Sequence, residues 1–172
     1  MSPLRILLFC LGLLALGTVA QGAVTCTVLA NFGATPDGVN PSQLVEGADG
    51  NYYGTAQTGG THGLGTVFQM TPAGTVTTLY SFTGGTDGKT PTGRLALGAG
   101  LNAGTLFGTT SAGGANGFGT FFSITTGGTF TLLHAFNGAI EGMNAPAFVV
   151  TGNDGKFYAT TAGESTGIAS II

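Results

Sequence analysis

Runs of β-branched and aromatic residues, "GTVFQMT" (65–71), "TVTTLYSF" (75–82) and "GTFFSIT" (119–125), alternate along this chain with clusters of Gly, Pro, Asn and Asp. No helical period follows the N-terminal leader, so the pattern predicts short strands joined by tight turns and an all-β fold. Four strands are expected over "QLVEGA" (43–48), "NYYGTA" (51–56), "GTVFQMT" and "VTTLYSF" (76–82). Four more are expected over "RLALGAG" (94–100), "TLFGTT" (105–110), "GTFFSIT" and "FTLLHAF" (130–136). Asp49-Gly50 lies between two of these strands and suits a primed hairpin turn, because glycine takes the positive φ that such a turn requires. Asp154-Gly155 repeats that arrangement further on.

The runs recur at long intervals. Phe32, Phe82 and Phe136 are separated by 50 and 54 residues, and so are Asp37-Gly38, Asp87-Gly88 and Glu141-Gly142. "GLGTVF" (63–68) returns as "GFGTFF" (117–122) and, decayed, as "GIASII" (167–172). Tandem units of about 50 residues point to propeller blades or solenoid coils. The expected organisation is a repeat domain over 23–172, with units of 26–75, 76–129 and a truncated 130–172. Each unit is expected to be a four-stranded antiparallel sheet, giving a partial, propeller-like array of about three blades. Phe68, Phe82, Phe107, Phe122 and Phe136 are expected to fill the layers between neighbouring blades. The chain opens on "CTVLANF" (26–32), equivalent to a fourth strand, and closes on equivalents of the first three. That layout predicts an open arc whose apolar faces are covered by a second copy or by further repeats downstream.

The succession "LYSF", "GGTDGKTP", "TLFGTTSAGG", "GFGTFF" and "LLHAF" resembles the Gloeo/Verruco tandem repeat of exported bacterial proteins that carry one of several surface anchors. The resemblance covers about residues 26 to 172. It implies a propeller-like β architecture, export and surface association, and it brings no catalytic residue with it. The C-terminal anchor typical of that family has no counterpart in these residues.

Composition adds a compartment. "MSPLRILLFCLGLLALGTVAQGA" has a positive Arg5, an apolar run over residues 6–16 and small side chains at Ala20 and Gly22, the layout of a cleaved export signal over 1–22. The 11-residue run is too short for a membrane span, which needs roughly 20 residues. Loss of the leader removes Cys10 and leaves Cys26 without a disulfide partner. Lipidation of Cys26 is disfavoured by Thr25, which is larger than the residue usually found before a lipidated cysteine. The 33 glycines lack a Gly-X-Y period and so mark turns, not collagen. Lys89, Arg94 and Lys156 then face seven carboxylates, a balance that excludes a nucleic-acid or anionic-membrane partner.

Candidate chemistry is sparse. "GGTDGKTP" (84–91) looks like a phosphate-binding loop, but the residue five before Gly88 is Thr83, and Pro91 stands where a helix would have to open. The stretch is expected to be an inter-blade turn in which Asp87 bonds backbone amides ahead of it and Gly88 takes a positive φ. His62 and His134 occupy different repeat positions, without metal-ligand spacing. Asp37, Asp87 and Glu141 could share one rim, but their turn role accounts for them. Ser81, Ser111 and Ser123 sit in no nucleophile motif. No catalytic, cofactor or metal residue is therefore assigned. The expected function is a secreted, cell-surface or periplasmic non-catalytic module for structure or binding, with a polysaccharide or protein partner. The alternatives are a fragment of a carbohydrate-active propeller enzyme, or a truncated copy without function.

Overall fold

The computed structural model describes residues 26–33, 38–138, 149–152, 154, 156–160 and 169–171. The leader, Asp37, Glu141 and Gly155 lie outside the described residues. Three antiparallel sheets follow one another in chain order. The first holds β1 (Val39–Pro41), β2 (Val45–Glu46), β3 (Tyr52–Thr58), β4 (Thr66–Met70) and β5 (Val76–Ser81). The second holds β6 (Lys89–Pro91), β7 (Ala96–Leu97), β8 (Thr105–Ala112), β9 (Thr120–Thr125) and β10 (Phe130–Ala135). The third holds β11 (Val150–Thr151), β12 (Phe157–Thr160) and β13 (Ala169–Ile171). Every sheet is open, and the one described helical turn is a 3₁₀ turn over Gly100–Asn102.

The expected first strands, 43–48 and 94–100, shorten to β2 and β7, and ahead of each runs a further short strand, β1 and β6, of which β6 lies in the stretch expected to be an inter-blade turn. β1 pairs with one end of β3 and β2 with the other. The reason is local. Asn40 is held at φ +57° ahead of Pro41, which has no N–H to give to the ladder. Ser42 repairs the gap: its N–H donates to the Thr55 carbonyl at 2.7 Å, and its Oγ accepts from the Thr55 N–H at 3.2 Å. Thr90 at φ +53° ahead of Pro91 repeats the break between β6 and β7.

The β2–β3 turn also departs from expectation. Gly50 is left-handed at φ +76°, but the Gly50 N–H donates to the Gly47 carbonyl and the Gly47 N–H to the Asn51 carbonyl. Ala48, Asp49 and Gly50 thus form a three-residue loop ending in a left-handed glycine, not a two-residue primed turn. Asp49 explains the choice, since its carboxylate is held by the loop it closes (below).

Strand alternation sends the side chains of the first two sheets to two buried faces each. From the first sheet, Val45, Tyr53 and Val67 meet Leu95, Leu106, Phe122 and Ile124 of the second, with Phe82 between them. Phe107 and Phe121 leave the opposite face of the second sheet to pack with Phe136, Val149 and Phe157 toward the third. The remaining face of the first sheet carries Ala56, Phe68 and Met70, covered by Ala30 and Phe32 of the N-terminal segment. Phe68, Phe82 and Phe122 are fully buried, and Phe107 and Phe136 nearly so. At about 1.5–3 kcal/mol for each large apolar side chain removed from water, these inter-sheet layers hold the sheets against one another. The repeated phenylalanines are therefore structural.

Candidate functional site

The stretch joining the first two sheets shows what its charged residues do. Asp87 is nine-tenths buried, and it reaches back, not ahead. Its carboxylate accepts the Thr83 N–H at 2.8 Å, the Thr83 hydroxyl at 2.6 Å and the Tyr80 hydroxyl at 3.0 Å. The expectation of amides ahead of Asp87 is corrected by the path of the chain, which folds 83–88 into a loop closed by the Gly84 N–H on the Gly88 carbonyl. Burial pushes the Asp87 carboxyl up, but the three hydrogen bonds outweigh it and hold the group below the usual carboxylate value. Burial, together with Asp87, pushes the Tyr80 phenol up to about 12.

Gly88 takes φ +91°, as its turn requires, and Lys89 and Thr90 continue into β6. A phosphate loop needs a helix terminus at that point, and a strand cannot present one. The backbone at Gly88 instead presses against the buried Thr110 and Thr120 hydroxyls, which are 2.9 Å apart, and Thr120 donates to the Asp87 carbonyl at 3.0 Å.

Two further carboxylates brace hairpins. The Tyr53 hydroxyl donates to Asp49 at 2.6 Å, and the Tyr158 hydroxyl donates to Asp154 at 2.7 Å. Those bonds, with further ones from Asn51 and from the Lys156 N–H respectively, hold both carboxyls below their usual value. Burial, with Asp49 beside it, lifts the Tyr53 phenol to about 12. In the second sheet Ala103 and Phe107 stand at the matching positions, so the carboxylate and the hydroxyl are absent together. That joint loss marks a structural pair.

His62 sits in the β3–β4 connection, and His134 lies on β10, edge-on to Phe136 at 5.2 Å. Ser81 lies on β5 and Ser111 on β8, where its hydroxyl donates to the Thr90 carbonyl; Ser123 lies on β9. These residues are not brought together. Among the described residues no three His, Cys, Asp or Glu side chains are placed to hold a metal ion.

What the fold does bring together is one short strand from each sheet. β2, β7 and β11 border an open cavity of about 790 Å³. Its floor is aliphatic, from Val45, Leu95, Leu97 and Val149, and its polar groups come from Ser42, Gln43, Gln57, Arg94 and Thr151. Arg94 is exposed, and no carboxylate stands among the lining residues. Such a wall can donate hydrogen bonds and attract an anion, and its described residues include no acid–base pair. Sequence reasoning missed this cavity because its walls come from three sheets. The available signal was Arg94 itself, a cation heading the apolar strand "RLALG" in a chain with few charges.

The repeated geometry agrees with the family comparison. The sequence pattern of the Gloeobacter/Verrucomicrobia repeat matches residues 14–172. The chain belongs to the Gloeobacter/Verrucomicrobia repeat family. The match spans the three sheets and the residues between them. A search of curated proteins finds no match. Among the described residues of this Gloeobacter/Verrucomicrobia repeat chain, no helix is long and apolar enough to cross a membrane.

Proposed function

We propose that this Gloeobacter/Verrucomicrobia repeat protein is an exported, non-catalytic binding module. Its sheets are read as blades of a propeller-like arc, and the cavity at β2, β7 and β11 as the place that receives a carboxylate-bearing surface polysaccharide. The observation that carries the reading is the cavity itself, built from all three sheets and bearing the exposed Arg94 above an aliphatic floor. Guanidinium pairs with carboxylate in a planar, two-bonded geometry, while Gln43, Gln57, Ser42 and Thr151 are suited to sugar hydroxyls. The chain as a whole is acidic, but beyond about 8 Å its field is screened at physiological salt, so the local cation governs contact. The described aspartates support the non-catalytic part, since Asp49, Asp87 and Asp154 are all engaged by neighbouring tyrosines.

Isothermal titration of the mature chain with polygalacturonate, and with uncharged dextran as control, tests the binding. The acidic polymer should bind, and Arg94→Ala should weaken it at least tenfold; binding indifferent to Arg94, or none, overturns the reading. Turnover of the polymer in the same solution would replace a module with an enzyme. Export is tested separately by mass spectrometry of the extracellular and periplasmic fractions, where a new terminus at Gln21 or Ala23 is expected. Intact Met1 confined to the cytoplasm would exclude it.

A further inference from the structure

The N-terminal segment 26–33 belongs to no sheet, yet it lies where a strand should be. Phe32 packs on Phe68 of β4 with ring centroids 4.8 Å apart, as Phe82 packs on Phe122 of β9 at 5.3 Å. Those pairs are repeat equivalents. The Leu29 carbonyl lies against Gly74 in the β4–β5 turn, and the Leu79 carbonyl lies against Gly128 in the β9–β10 turn. The segment therefore stands to the first sheet as β5 stands to the second. β5 holds its position as the fourth strand of a meander, bonded to β4. Among the described residues no three strands lie beside 26–33 as β2, β3 and β4 lie with β5, and Val28 is 77% exposed.

The complementary feature is β13. It bonds to β12, and among the described residues nothing pairs with its other edge. In the first two sheets that edge is taken by β5 and by β10. The ladder registers carry over. Val67 opposite Tyr80 and Phe121 opposite His134 both translate, by the repeat offsets, to Ile171 opposite Ala30. Thr66 opposite Ser81 and Thr120 opposite Ala135 both translate to Ser170 opposite Asn31. Two separate ladders give one register.

Within one chain these elements stand at opposite ends of the stack. Residues 26–33 cover the face of the first sheet that points away from the second, while the third sheet packs on the far face of the second. We infer that residues 26–33 of one copy add to β13 of a second copy as its fourth strand, in the register Asn31 opposite Ser170. The donated strand would complete the partner's third sheet and leave Phe32 against its own Phe68, so the third sheet of one copy stacks on the first sheet of the other just as successive sheets do within a chain. An open strand edge and a segment that lies outside every sheet are matched requirements, and an exchange between identical chains meets both. Reciprocal exchange closes a two-fold ring of six sheets. This holds whatever occupies the cavity.

The test is a paired cysteine variant, Asn31→Cys with Ser170→Cys, in a Cys26→Ser background of the mature chain. Mild oxidation should give a disulfide-linked dimer on a non-reducing gel, and light scattering of the unoxidised protein should give twice the chain mass at micromolar concentration. Asn31→Cys with Ala169→Cys, one residue out of register, should cross-link far less. An intramolecular Asn31→Cys to Ser170→Cys disulfide in a monomer would show that the chain closes on itself. A monomer without cross-link, or equal cross-linking at both registers, overturns the exchange.

Discussion

Replacing Gly88 with alanine tests the reading of the stretch that joins the first two sheets. Gly88 sits at φ +91°, where an L-residue loses about 1–2 kcal/mol to contact between Cβ and the backbone. A Cβ at this position would also lie 2.1 Å from Thr110 Oγ1 and 2.7 Å from Thr120 Oγ1. Both hydroxyls are buried and bonded to one another, and moving either breaks a bond of about 1 kcal/mol in a place water does not reach. The expected loss is about 2–3 kcal/mol. Gly63→Ala is the control, because Gly63 is also left-handed at φ +74° but has nothing within 4 Å of its would-be Cβ. It should show the backbone part alone. Urea denaturation of both variants measures the difference. With a slope of about 1–3 kcal/mol per molar, Gly88→Ala should lower the midpoint by about 0.7–3 M at unchanged slope. If Gly88→Ala costs no more than Gly63→Ala, the close docking of this turn on β8 and β9 is wrong.

Three other perturbations address the packing and the braced carboxylates. Phe122→Ala, which empties a fully buried site beside Phe82 and Phe130, should cost about 3–5 kcal/mol in thermal or urea unfolding, whereas Leu132→Ala on exposed β10 should change stability by less than about 0.5 kcal/mol. Because the Asp87 carboxyl is held below its unfolded value, its contribution is complete above about pH 4 and is lost as pH falls through the lower folded value. Asp87→Asn should flatten that acid limb of a stability–pH curve, and an unchanged limb refutes the assignment. Tyr53 and Tyr80 run the other way: folding raises both phenols to about 12, so their stabilisation is full below about pH 10 and disappears as pH rises through 12. Ultraviolet titration at 295 nm should resolve them as a late step, removed by Tyr53→Phe and Tyr80→Phe together.

The sequence by itself determined strand content and the structural role of the phenylalanines, because these depend on near neighbours and on a spacing repeated along the chain. "GTVFQMT" and "GTFFSIT" became β4 and β9, and Phe82 and Phe122 met between the sheets. The loop from Thr83 to Gly88 was legible as a turn, since Gly88 takes a backbone conformation open to glycine, but Lys89–Pro91, read as part of the same turn, form strand β6. Only the tertiary structure decided which atoms Asp87 bonds, because Thr83 and Tyr80 come within reach through the loop's path and not through their order. The break that sets β1 apart from β2 was likewise hidden. It depends on Ser42 reaching Thr55, 13 residues away, to replace what Pro41 cannot supply. The cavity around Arg94 is the extreme case. Its walls come from three sheets, and a periodic pattern repeats the strands without saying which of their edges will face one another once the sheets are stacked.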